Sequence, residues 1–303
     1  MKLVFMGTPD FAVPCLQRAV SDGHEVAAVF TQPDKPQGRK FIITPPPVKV
    51  AAEKLGIPVF QPKTLRDASV QAQLCSLAPD VIVVVAYAKL LPKEVLAVPR
   101  FGCVNVHGSL LPKYRGAAPI QWSVINGDAV AGVTTMYMAE GLDSGDMIES
   151  LQLAVDPYET SGQLFERLMP LGAQCLSTTL KKIEAGTAPR VPQDDTQATL
   201  APKIDKSMGK LDFTKPARQL HNLVRGLSPW PNAFMLCGQR SLKVLKTAVR
   251  ELNGPAGTLL KTDGFVIACG QDALEIVELV PEGKGKMTGA QFLQGLRDRP
   301  ECF

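Results

Sequence analysis

The chain lacks the marks of a secreted, zinc-stapled or membrane-spanning protein. Its seven cysteines (Cys15, Cys75, Cys103, Cys175, Cys237, Cys269 and Cys302) are scattered and odd in number, with no CxxC pair and no Cys/His cluster, and there are only three histidines. A disulfide framework or a structural zinc site is therefore disfavoured, no metal is expected, and a reducing cytoplasm suits the thiols. The longest apolar stretch, around Val81–Ala86, falls far short of the about 20 residues needed to cross a bilayer, so no membrane partner is expected. No leader of the secretory or Arg-rich kind is read before the first apolar run, Met1–Met6. Gly7 after that run lacks GxGxxG spacing, which removes support for a dinucleotide. Charge is not abundant enough, nor hydrophobicity low enough, for a disordered chain: 45% of the residues are hydrophobic and 20% charged.

What is present begins with an uneven charge distribution. The net charge of +4 conceals a basic stretch, Lys203–Arg250, in which ten lysines and arginines face only Asp205 and Asp212. Such density suits a polyanionic partner such as nucleic acid, and Lys203, Lys206 and Lys210 become candidates for contact with it; a solvated surface with local bias is the plainer reading.

At 303 residues, two domains are expected. The first 140 or so residues alternate short β-rich runs with helical ones. Strands are read at Lys2–Met6, Glu25–Thr31, Pro58–Phe60, Val81–Val85, Gly102–His107 and Gly132–Met138; helices at Asp10–Ser21, Val48–Leu55, Val70–Leu77 and Ala118–Asn126. This alternation predicts an α/β fold, a Rossmann-like doubly wound parallel sheet, in which the uniformly apolar Val81–Val85 is of the type buried on both faces. Thr160–Glu184 reads as a long helix that Pro170 bends or interrupts. Ala188–Asp212 has little periodicity and reads as a connector. After a helix near Pro216–Arg225, short strands at Ala233–Cys237, Leu242–Val249, Gly257–Leu260, Phe265–Cys269 and Leu274–Val280 suggest a small barrel. No internal repeat is visible. His24 reads as a surface or cap residue and His221 as a packing residue.

The most informative strand is Cys103-Val104-Asn105-Val106-His107. Side chains alternate across a strand, so Asn105 and His107 share one face. At the carboxyl end of a parallel strand that face opens on the crevice where α/β sheets bind ligands. An amide can polarise a carbonyl oxygen, and an imidazole can move a proton near neutral pH. A hydrogen-bonded strand end would satisfy the same two residues. The loop Gly108–Pro119 follows, and helix onset near Ala118 would aim free amides at the crevice. Gly141-Leu142-Asp143-Ser144-Gly145 then reads as a tight turn presenting a carboxylate, or simply as a surface loop.

Taken in order, Asn105, His107, Ser109-Leu110-Leu111-Pro112 and Asp143 resemble the formyltransferase family that uses 10-formyltetrahydrofolate. The resemblance implies that Asn105, His107 and Asp143 are catalytic and that Ser109, Leu110, Leu111 and Pro112 border the folate cosubstrate. Gly7-Thr8-Pro9-Asp10-Phe11, Arg115–Gln121, Ala201–Ile204 and Leu227–Pro231 are similar to the members that formylate methionine on initiator tRNA, and extend the likeness nearly end to end. It then implies a catalytic domain over 1–188, a linker over 189–206 and an OB-like tRNA-binding domain over 207–303, with initiator methionyl-tRNA as partner. The two-domain design reads as self-sufficient, so a monomer is expected. The loop Gln32–Pro47 is too long for an ordinary connection. By its place in the family it would wedge into the tRNA acceptor end, with Lys35, Arg39 and Lys40 near its tip and Arg39 foremost, since a guanidinium can grip phosphate and stack on bases. A folate formyltransferase acting on another amine, such as a nucleotide-linked sugar or a glycinamide ribotide, or a non-catalytic RNA-binding protein on the same fold, remain alternatives.

Overall fold

The computed structural model describes residues 1–38, 41–296 and 303. The chain divides into two compact units. One comprises Met1–Gly116, Ala131–Leu153 and Phe165–Leu200; the other comprises Ala117–Val130, Ala154–Leu164 and Ala201–Phe303.

The first unit is built on a seven-stranded sheet in the order Met147–Ala154, Val130–Tyr137, Cys103–His107, Val81–Val85, Lys2–Gly7, Glu25–Phe30, Val59–Phe60. The strands from Cys103–His107 to Val59–Phe60 pair in parallel. Val81–Val85 and most of Lys2–Gly7 are buried, as both-face burial in a parallel sheet requires. Val130–Tyr137 departs from the expected parallel pattern and runs antiparallel to Cys103–His107. The edge strand Met147–Ala154 was not anticipated. Its burial alternates, because an edge strand has one face on the core and one in water.

Helices cover this sheet. Val13–Ser21 buries Cys15, Leu16 and Ala19, and begins after a single 3-10 turn at Asp10–Ala12. Ser161–Glu184 runs through Pro170 as one helix, without the interruption that the sequence suggested. From it Leu168, Leu176 and Leu180 are fully buried, each contributing about 1.5–3 kcal/mol through loss of apolar surface from water. Thr179 and Thr135 share a buried hydroxyl–hydroxyl hydrogen bond of 2.6 Å, which ties this helix to the sheet.

The loop Gln32–Pro47 is not structureless. Lys35–Gln37 and Ile42–Thr44 pair antiparallel as a hairpin, which exposes Phe41, Ile42 and Ile43.

In the second unit, Ala233–Cys237, Arg240–Arg250, Ala273–Pro281 and Val266–Ala268 form an antiparallel sheet in that order, with Met287–Thr288 also paired to Ala273–Pro281. The expected strand at Gly257–Leu260 is reduced to local bridging, including Leu259 to Ile267. The helix Ala217–Gly226 lays Ala217, Leu220 and Val224 onto a core shared with Phe213, Met235, Phe265 and Ile276.

His24 sits deeper than a surface reading allows, whereas His221 is packed as expected. His24 is buried, with Nδ1 3.4 Å from the Met1 amino group. His221 is buried between the Thr247 hydroxyl (2.9 Å) and the Pro157 carbonyl (3.3 Å). Burial is the largest influence holding both imidazoles below their ordinary pKa. The unfolded chain therefore binds protons that the folded chain refuses. Stability is full above about pH 6.5 and falls as pH drops from there toward the folded-state values. Denaturant midpoints at about pH 7.5 and about pH 5.5 check this; a flat response would refute it.

Candidate functional site

The site is assembled at the carboxyl end of Cys103–His107. Val104 and Val106 are buried on one face, which leaves Asn105 and His107 to share the other. Opposite them on the antiparallel neighbour lie Met136, paired with Asn105, and Thr134, paired with His107.

Asp143 reaches this strand from the turn after Val130–Tyr137. Its Oδ1 accepts from Asn105 Nδ2 at 3.4 Å, and its Oδ2 lies 3.6 Å from His107 Nδ1. Oδ2 also accepts the Gly116 amide at 2.9 Å. The turn is tight: Asp143 has φ 46°, and a Cβ on Gly145 would stand 1.7 Å from the Tyr137 carbonyl oxygen. A left-handed non-glycine residue costs about 1–3 kcal/mol, so the carboxylate is held in place against backbone strain. Tyr114 is a second such residue, at φ 63°. Its carbonyl accepts the His107 Nε2–H at 2.9 Å. Since a carbonyl can only accept, this bond puts a hydrogen on Nε2 and leaves Nδ1, the nitrogen facing Asp143, to gain or lose a proton. The His107 side chain is 6% exposed and that of Asp143 16%, so the pair is sheltered from bulk water.

The loop after the strand is tied to the same wall. Ser109 Oγ donates to the Lys113 carbonyl at 2.7 Å, the Thr134 hydroxyl donates to the Ser109 carbonyl at 2.8 Å, and the Leu111 amide donates to the Thr134 hydroxyl at 3.2 Å. Leu110 packs where any Cβ on Gly132 would stand. Leu111 is buried, while Leu110 and Pro112 are half-buried. Lys35, Lys203, Lys206 and Lys210 are exposed; Arg39 and Lys40 lie outside the described residues. Among the described residues, no group of three or more His, Cys, Asp and Glu side chains is placed to hold a metal ion.

Two contributors were not read from the sequence. The amide that reaches the acid belongs to Gly116, ahead of the helix Pro119–Ile125, whereas the Ala118 amide donates to the Ala201 carbonyl. Gln193, in the stretch read as a connector, donates from Nε2 to the carbonyls of Asp143 (2.9 Å) and Gly145 (2.8 Å). No motif marks it; only its neighbour in the folded chain does.

A buried imidazole, a carboxylate and a carboxamide converging at a strand end can polarise an acyl oxygen and relay a proton. The comparisons agree with chemistry of that kind. The family described as formyl transferase matches residues 1–180, and the formyl transferase C-terminal domain matches residues 203–297. The methionyl-tRNA formyltransferase of Geobacter metallireducens is 45% identical over 302 residues, which covers 99% of this chain and 97% of that protein. That of Clostridioides difficile is 47% identical over 299 residues, 97% of each. Among solved structures, an N-formyltransferase from Helicobacter canadensis, in complex with folinic acid and dTDP-3-aminofucose, superposes with a TM-score of 0.70 at 17% identity, covering 91% of this chain and 99% of that one. HypX from Aquifex aeolicus, in complex with tetrahydrofolic acid, superposes at 0.64 and 16% identity over 99% of this chain and 49% of its own. At such identities these structures speak for the fold alone. The family matches and the full-length relatives do more, and by them this chain belongs to the formyl transferase family.

Proposed function

We propose that this chain transfers the formyl group of 10-formyltetrahydrofolate to the α-amino group of methionine carried on initiator tRNA. The observation that carries the chemistry is the meeting of Asn105, His107 and Asp143 around one small volume. The acceptor is supported by the relatives, whose likeness spans both matched parts of the chain. Attack of the amine on the formyl carbon creates an oxyanion. Asn105, with one N–H turned to Asp143 and another left over, stabilises that oxygen. The amine must lose a proton, and the departing folate nitrogen must gain one. Nδ1 of His107 is the relay, because Nε2 is engaged by the Tyr114 carbonyl; Asp143 takes or shares the proton that Nδ1 carries. Ser109, Leu110, Leu111 and Pro112 border the folate. Formyl transfer assayed side by side with charged initiator tRNA, uncharged tRNA and free methionine tests the reading: transfer to a small amine at the same efficiency, or none to charged tRNA, refutes it.

In this reading residues 1–188 carry the catalysis, 189–206 connect, and 207–303 form an OB-like domain that grips tRNA in the cytoplasm, one chain per complex. The short antiparallel strands of the second unit and the basic stretch Lys203–Arg250 support it. Lys35, Arg39 and Lys40 of the Gln32–Pro47 loop contact the acceptor end. Changing Lys203, Lys206 and Lys210 together to glutamine weakens tRNA binding and flattens its dependence on salt. Each lost phosphate contact removes about 0.7–0.9 from the slope of log K against log salt. An unchanged slope would take these lysines out of the interface.

A further inference from the structure

We propose that Gln193 is a positioning residue for Asp143, and that the stretch 190–195 is the strap that holds the acidic turn in register with His107. The proposal rests on the catalytic reading of Asp143 given above. Gln193 binds the turn by its main chain, through the carbonyls of Asp143 and Gly145, and so leaves both carboxylate oxygens to Asn105, His107 and the Gly116 amide. Its orientation is dictated from behind. Arg115 Nε donates to Gln193 Oε1 at 3.0 Å, and Arg115 Nη2 is anchored on Asp195 Oδ1 at 2.7 Å. A guanidinium has donors only, so the amide oxygen must face Arg115 and the amide nitrogen must face the turn.

The rest of the strap closes on the same turn. Val191 and Met147 exchange backbone hydrogen bonds of 2.9 and 3.1 Å. Arg190 lies over the Tyr137 ring at 3.8 Å and pairs with Asp146 at 3.5 Å. The turn needs this support because it is tight and strained: Asp143 is left-handed, and Gly145 leaves no room for a side chain against the Tyr137 carbonyl. Without the Gln193 amide, two carbonyls lose their donor and the turn relaxes. A displacement of about 1 Å at a reacting group can lower turnover about 100-fold, so the expected loss lies between about 10- and about 100-fold.

The test uses the full-length chain with Gln193→Met, which keeps the shape and removes the donors, and Gln193→Glu, which keeps the pairing with Arg115 but presents oxygens to the two carbonyls. Both should lower kcat by about 10- to 100-fold, while KM for folate and for charged tRNA stays within about twofold. In an Asp143→Asn background the same changes should alter kcat by less than about twofold, since the group being positioned is already disabled. A residue that merely supports the fold would multiply the two losses instead, and that result, or normal kcat in both variants of an enzyme whose Asp143→Asn form is crippled, overturns the proposal. Were Asp143→Asn itself to retain full kcat, the catalytic reading would fall, and the assignment of Gln193 with it.

Discussion

Replacing His107 with alanine lowers formyl transfer about 100- to 1000-fold, with the affinity for charged tRNA within about twofold of the unmodified chain. The size follows from the geometry. The imidazole is sheltered, has one nitrogen committed to the Tyr114 carbonyl, and turns the other toward a carboxylate 3.6 Å away. Water admitted in its place is neither oriented by that carbonyl nor held against Asp143. A positioned proton-transfer group is worth about 100- to 10,000-fold, and a single oxyanion donor about 100- to 1000-fold. Binding is spared because tRNA is gripped elsewhere in the proposed arrangement. Asp143→Asn should produce a loss of similar size, since the amide keeps the shape but cannot take the proton carried by Nδ1. The double variant should lose little more than either single one, because the two groups act as a unit. Steady-state rates with charged initiator tRNA decide the matter: near-normal turnover in His107→Ala sinks the assignment, and fully multiplicative losses sink the coupling.

Arg225→Met destabilises the chain by about 3 kcal/mol, a large share of the 5–15 kcal/mol typical of a folded domain. Arg225 is 6% exposed. Nη1 donates to the carbonyls of Glu159 (2.9 Å) and Asp156 (3.3 Å), and Nη2 donates to Asn222 Oδ1 at 2.7 Å. Asn222 is itself buried. Methionine retains the packing of the stem but strips these acceptors of their donor, at about 1–3 kcal/mol for each one left unsatisfied. Part of that is offset, because the buried guanidinium also carries a desolvation penalty: burial, then the charge of Arg218, lowers its pKa. The Nε–H, which finds no partner among the described residues, adds nothing on the favourable side. Chemical denaturation checks the result; a loss under about 0.5 kcal/mol, the range of a neutral surface change, would show that these bonds contribute little.

Local pattern sufficed for Val81–Val85, whose short unbroken apolar run reads as a strand covered on both faces, and for Ser161–Glu184, whose leucines recur at helical spacing. Of the two outcomes read for Pro170, a bend or an interruption, the interruption does not occur: proline disfavours a helix interior by about 3 kcal/mol and the buried leucines around it outweigh that. The edge strand Met147–Ala154 escaped because its alternation is weak and an edge has half the burial to report. The hairpin within Gln32–Pro47 escaped because each arm is only three residues long.

By itself the sequence determined that Asn105 and His107 share a face, because two residues always bring a strand back to the same side. It suggested too that Asp143 sits in a tight turn, because glycines flank it, while leaving a plain surface loop open. Only the tertiary structure decided that this turn reaches that strand, that the Tyr114 carbonyl takes Nε2 and leaves Nδ1 facing Asp143, and that Gln193, 50 residues beyond Asp143, donates to the carbonyl of that residue. The physical reason is range. Propensity and periodicity act over a few bonds and are written in neighbouring letters, whereas hydrogen bonds between distant segments depend on how whole elements pack, and no short stretch of chain carries that information.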